Sequence, residues 1–166
     1  KVFVSTKEEK KYYVDEVFVD KLLTNLKIDS QRNANRVAQN IIRQFSNHSV
    51  AQKVVEILLN RRYRRGKRLD NNPQMILEKV AHAISQNKPI ELSISLFPCK
   101  IPNRLKTNGD LPDLAEVISL LRLAEICQAI EIIYSPGAKV FVLTDGKRFE
   151  EILDFKQEVL MRYQTH

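Results

Sequence analysis

The sequence predicts an α/β fold in which a helical N-terminal half, residues 1–88, packs on a parallel βαβ unit, residues 89–166. Three observations predict it. Apolar side chains recur at helical spacing through most of the first half, and a strict alternation begins near Pro89. A long apolar segment then separates that alternation from a second run of branched and aromatic residues. The 166 residues are the length of one ordinary domain and can bury a core.

Residues 12–26 set Phe18, Leu22 and Leu26 four apart, which reads as a helix, although "YYVDEVFV" reads equally as a strand. Residues 34–46 place Val37, Ile41 and Phe45 on one stripe. Ser49 opens "SVAQ", a capping box with Gln52 at N3, and Val50, Val54 and Leu58 follow on one face. Asn72 and Pro73 form a cap and first turn for a helix through Ile76, Val80 and Ala83.

From Pro89 the side chains of Ile90, Leu92, Ile94 and Leu96 alternate with Glu91, Ser93 and Ser95, a strand with one apolar face. The stretch "FPCKIPNRLKTNGDLPDLAE" carries three prolines and breaks it. A long helix over about 112–133 follows, opened by Pro112 and acidic first-turn residues. Its polar residues fall at every third position: Asp113, Glu116, Ser119, Arg122, Glu125, Gln128 and Glu131. Three residues turn a helix by about 300°, so this line winds round the cylinder and leaves no face wet, which predicts a mostly buried helix. "SPG" turns the chain into the strand "AKVFVLT", which "DGKR" ends; Asp154 and Gln157 then start one more capped helix through Val159, Leu160 and Tyr163.

Strand, helix and strand make a Rossmann-like βαβ unit whose crossover renders the strands parallel. Both strands then end on one edge, beside the start of the long helix, where ligands bind in open α/β sheets. That edge gathers Lys100, Asn103, Arg104, Lys106, Asp113, Glu116, Asp145, Lys147 and Arg148. The cations suit a phosphate or carboxylate, with Arg able to grip in a two-pronged fork. Asp113 and Glu116 share a face of the first helical turn and suit a substrate amine or proton transfer. The mixture fits a zwitterion with a phosphorylated partner; the plainer alternative is a set of loop charges paired with one another.

The formal net charge is +7, and residues 61–68, "RRYRRGKR", hold six of the cations, so removing them leaves +1. The cluster reads as a solvated helix end with Gly66 as its cap, ahead of a nucleic-acid-binding module. Cys99 and Cys127 read as free thiols of a cytoplasmic protein. His48, His82 and His166 belong to no metal-ligand spacing, and no glycine-rich phosphate loop occurs. No apolar run approaches the roughly twenty residues of a membrane helix, and the first residues do not read as a signal peptide.

Two stretches carry a resemblance. Phe97, Pro98, Lys100, Asn103, Lys106, Pro112, Asp113 and Glu116, then Tyr134, Pro136, Gly137, Ala138, Asp145, Gly146 and, one place late, Arg148 follow a family pattern in order. The pattern is that of the isocyanide (isonitrile) synthases of the pyoverdine/dityrosine biosynthesis family, which this sequence closely resembles. The resemblance implies an enzyme of secondary metabolism that converts the α-amine of tyrosine or tryptophan to an isocyanide. Ribulose 5-phosphate would supply the carbon, with no metal or nucleotide cofactor. An iron- and 2-oxoglutarate-dependent oxygenase would take the product.

Under that resemblance Lys100, Asn103, Arg104, Lys106 and Arg148 would hold the phosphate and carboxylate, and Asp113, Glu116 and Asp145 would move protons. Family members run to roughly twice this length, so the chain reads as an N-terminal half with two strands of a larger sheet. It would be the enzyme, or else a non-catalytic fragment or a binding subunit of that family. Exposed strand edges would favour a homodimer.

Overall fold

The structure, a computed structural model, describes residues 2–5, 11–14, 16–63, 73–95 and 114–143, together with Glu158 and Met161. In chain order the elements are β1 (Val2–Ser5), β2 (Lys11–Val14), α1 (Glu16–Gln44), α2 (Val50–Leu58), α3 (Pro73–Ser85), β3 (Ile90–Ser95), α4 (Leu114–Ile133) and β4 (Ala138–Leu143). Two compact units result. One comprises residues 27–93 and 119–141; the other comprises residues 1–26, 94–118 and 142–166.

The core of the first unit draws Val37, Ala38 and Ile41 from α1 and Val54, Val55 and Ile57 from α2. Val80, Ile90, Ala129, Ile130 and Tyr134 complete it. Pro73 is the first residue of α3. Ser49 caps α2 as its sequence predicts: its hydroxyl accepts from the Gln52 backbone N–H, and the Gln52 side chain accepts from the Ser49 N–H. The stripe that α2 buries is Ala51, Val54 and Val55, with Ile57 beside it, and Val50 in the first turn is exposed.

Four expectations change. β2 takes Lys11–Val14, so the helix predicted from residue 12 begins at Glu16; branched and aromatic residues favour the strand, and Val2 of β1 lies opposite Val14 in an antiparallel pair. The two helices predicted over 12–26 and 34–46 are one helix of 29 residues, α1. No glycine or proline interrupts residues 26–34, and Arg32–Asp29 and Arg36–Asn33 contacts one turn apart line its exposed side.

The third change is that "RRYRRGKR" does not begin as a helix end. α2 stops at Leu58 with Leu59 as its cap residue, and residues 61–63 form turns; Gly66 lies outside the described residues. The fourth concerns α4. It buries Glu125, Ala129 and Ile130, while Leu114, Ile118, Leu120 and Ile132 are exposed. Leu114, Ile118 and Ile132 lie within about 20° of Glu125 round the helix, so the core covers the stretch near 125–130 and not the whole length of that side.

β3 and β4 form a two-stranded parallel sheet connected through α4, and within β3 Ile90 is buried while Glu91 and Ser93 are exposed. Ser30 of α1 is buried and donates to the Leu121 carbonyl of α4 at 3.2 Å. The helix predicted after Asp154 lies outside the described residues apart from Glu158 and Met161, both helical.

Candidate functional site

Parallel pairing brings the carboxyl ends of β3 and β4 to one edge. Those ends and the first turn of α4 belong to the same compact unit. The two segments that carry the candidate residues connect these ends: residues 96–113 run from β3 to α4, and residues 144–150 leave β4. Glu116 sits half-buried in the first turn of α4. Lys100, Asn103, Arg104, Lys106, Asp113, Asp145 and Arg148 lie outside the described residues, as do Cys99 and Lys147.

A second polar cluster was not anticipated from the sequence. Glu125, in the middle of α4, has a side chain only 1% exposed. Arg62 meets it with a fork, Nε to Oε1 and Nη2 to Oε2, the latter at 3.3 Å. Arg122, one turn earlier on α4, donates to Oε2 at 2.9 Å.

The turn after α2 delivers Arg62: the Asn60 side-chain carbonyl accepts from the Arg62 backbone N–H, and the Asn60 backbone carbonyl accepts from Tyr63 N–H at 3.1 Å. A carboxylate removed from water needs such partners, and two guanidinium groups supply them. The hydrogen bond to Glu125 raises the Arg62 pKa further, so its charge is fixed.

Tyr63 packs against the core, with its hydroxyl buried and without a hydrogen-bond partner among the described residues. Desolvation first, and then the Glu125 charge, push its ionisation well above the ordinary tyrosine value. Cys127 is a half-buried free thiol whose pKa burial also raises, which makes it a poor nucleophile. The sequence signal for this cluster was present in two pieces, an acid flanked by apolar residues on α4 and the basic run after α2. Nothing in the spacing joined them, since 63 residues separate the partners.

Elsewhere in that unit an open groove of about 230 Å³ is lined by His48, Gln52, Glu56, Leu59, Gln74 and Leu77 among others. The His48 ring lies 4.9 Å from the Phe45 ring, and its Nδ1 is buried without a partner among the described residues. No helix among the described residues is long and apolar enough to cross a membrane.

The motif after α4 is described through Ala138, and its parts are architectural. The Tyr134 hydroxyl donates to the Lys88 carbonyl at 2.9 Å, tying the end of α4 to the residues before β3. Gly137 has φ +69°, a left-handed conformation that glycine adopts at no steric cost. Its carbonyl accepts from Ile90 N–H at 2.9 Å, joining the residue before β4 to the start of β3. A side chain at 137 would meet Glu131 Cβ at an ordinary 3.6 Å, so the backbone angle rather than space calls for glycine.

Residues 80–166 match the family model of the pyoverdine/dityrosine biosynthesis proteins. An L-tyrosine isonitrile synthase of Xenorhabdus nematophila is 37% identical over 89 residues, 54% of this chain and 27% of that protein. An L-tryptophan isonitrile synthase of Fischerella ambigua is 38% identical over 87 residues, 52% of this chain and 26% of that protein. The crystal structure of PvcA from Pseudomonas aeruginosa is similar with a TM-score of 0.63 at 34% identity, over 70% of this chain and 39% of that one. The matched stretch thus spans about a quarter of each curated relative's length. The family-model match includes residues 96–113 after β3, the whole of α4 and the turn into β4, and this chain belongs to the pyoverdine/dityrosine biosynthesis protein family.

Proposed function

We propose that this chain acts in converting the α-amine of tyrosine or tryptophan to an isocyanide, with ribulose 5-phosphate as carbon donor, in secondary-metabolite biosynthesis. The observation that carries this is the likeness of the candidate-bearing half to isonitrile synthases of both amino acids. The described geometry supports it: the parallel strands end together, in one compact unit with the first turn of α4, and in open α/β sheets ligands bind at that edge.

The reaction asks three things of the protein. An amine must be held and deprotonated so that it condenses with the sugar carbonyl. A phosphate must be held, and protons must be moved as both carbon–carbon bonds of the former carbonyl carbon break and leave that one carbon on nitrogen. Lys100, Asn103, Arg104, Lys106 and Arg148 are assigned the phosphate and carboxylate. Asp113 and Glu116 are assigned the amine and its protons, and Asp145 a further proton or hydroxyl. The reading puts the chain in the cytoplasm, where an iron- and 2-oxoglutarate-dependent oxygenase would take the product.

The test is mass spectrometry after incubation with tyrosine or tryptophan, with and without ribulose 5-phosphate. The expected product has one carbon more and two hydrogens fewer than the amino acid, and forms only with the sugar. No product, beside an active relative, would make this chain a binding portion without turnover of its own. Unimpaired turnover by Glu116→Gln would take Glu116 out of the chemistry. Unchanged sugar-phosphate affinity in Lys100→Ala would remove the role given to Lys100.

A further inference from the structure

α4 poses a packing problem that its apolar residues do not solve. Its polar residues Glu116, Ser119, Arg122, Glu125, Gln128 and Glu131 step round nearly the whole cylinder, so no apolar stripe marks the face to bury. Exposed Leu120, about 140° round the helix from Glu125, shows that apolar surface is available on another side. Rotation by one residue, about 100°, would still bury apolar groups. What it would not reproduce is the meeting of the Glu125 carboxylate with the Arg62 fork, which the Asn60 turn holds in place. Buried ion pairs contribute little net stability against apolar groups of the same volume, and their best-attested use is to fix register.

We propose that Arg62 and Glu125 are a positioning pair that sets the rotational register of α4, and thereby the direction in which its first turn presents Glu116. The part concerning Glu116 rests on the function proposed above. Glu125 and Glu116 are nine residues apart, about two and a half turns, and so lie on opposite sides of the helix. With Glu125 drawn toward Arg62, Glu116 is turned to the other side, a helical rise of about 13 Å along the axis. Loss of the pair frees the helix to sample other rotations and carries Glu116 away from its working direction.

The test uses spin labels at two exposed positions of one compact unit, Val50→Cys on α2 and Leu120→Cys on α4, with Cys99→Ser and Cys127→Ala as background. In the otherwise unchanged chain the label distance is expected to be single and narrow. In Arg62→Met/Glu125→Met no buried charge remains, and Arg122, which loses its partner, is exposed to water on α4 itself; the thermal midpoint is expected to stay within a few degrees while the distance splits or broadens. A single narrow distance at the parent value would overturn the proposal.

Should the double variant not fold, Arg62→Lys decides, because it keeps the charge and loses the fork. Broadening supports the pair and a parent-like distance overturns it. Where the parent makes isocyanide, kcat in the double variant is expected to fall by up to about a hundred-fold with KM little changed, the cost of a misplaced group. Unchanged kcat beside a split distance would overturn the link to Glu116. The distance measurement needs no turnover, so an inactive parent would count against the proposed function alone.

Discussion

α2 and α4 contribute to the same core by opposite means. α2 has nine residues, a reciprocal cap at its start and an apolar stripe, and its buried residues carry no charge. α4 has twenty residues and no stripe, and it drives a carboxylate into the interior to meet two arginines. The first helix is placed by surface area, which is non-directional. The second is placed by a hydrogen-bonded charge, which has direction and a partner. A helix between two strands must be set in rotation as well as depth, and area alone does not supply that.

The largest effect should come from moving α4's device onto α2. Ile57 is fully buried, and Ile57→Asp would put a carboxylate there with no guanidinium to receive it. Loss of the cooperative unfolding transition is expected in circular dichroism; a folded variant would show that the α2 site finds a partner after all. Next, Arg62→Ala leaves Glu125 with Arg122 alone. The expected loss is about 3 kcal/mol, the lower end for breaking a buried pair, read from the urea midpoint. A loss below that of a helix cap would mean that Arg122 suffices and that the contrast between the helices has been overdrawn.

Ser49→Ala removes one half of the α2 cap and should cost about 1 kcal/mol in the same titration. The smallest effect concerns pH. Tyr63 and Cys127 both hold their protons more tightly in the fold than the ordinary values of 10.0 and 9.0. Raised folded values mean that the unfolded chain gives up these protons first. Their contribution is therefore complete below pH 9.0, begins to shrink there for the thiol and at 10.0 for the phenol, and is lost as pH climbs through the folded values. Tyr63→Phe/Cys127→Ala should flatten the alkaline fall of the unfolding midpoint; an equal slope in both proteins would refute the assignment.

The contrast also explains what could be read beforehand. The α2 cap, Pro73 at the start of α3 and the alternation of β3 are local patterns, and each appears where its residues predict. The union of α1 across residues 26–34 was missed because apolar spacing lapses there while no breaker intervenes. The Glu125 cluster was missed because its partners meet only after folding, and the long polar-patterned helix was expected to be buried more evenly than it is. Of the candidate site, the edge was legible from the crossover rule, and Glu116 sits in the first turn of α4 as expected. The motif around Tyr134 reads better as architecture than as chemistry, given its bonds to Lys88 and across to Ile90.

The parallel pairing of β3 with β4 also sets a timetable for synthesis. β3 leaves the ribosome well before its neighbour, since residues 96–113 and α4 must be translated first, and at about 5–20 residues per second that interval lasts seconds. During it the apolar face of β3 has no sheet partner. The exposed Glu91 and Ser93 then serve the nascent chain as well as the folded one, because a charge and a hydroxyl within the strand discourage pairing with strands of other chains. The Tyr134 bond to Lys88, joining residues 46 apart, can form before β4 and tethers the end of α4 to the start of β3 ahead of strand pairing.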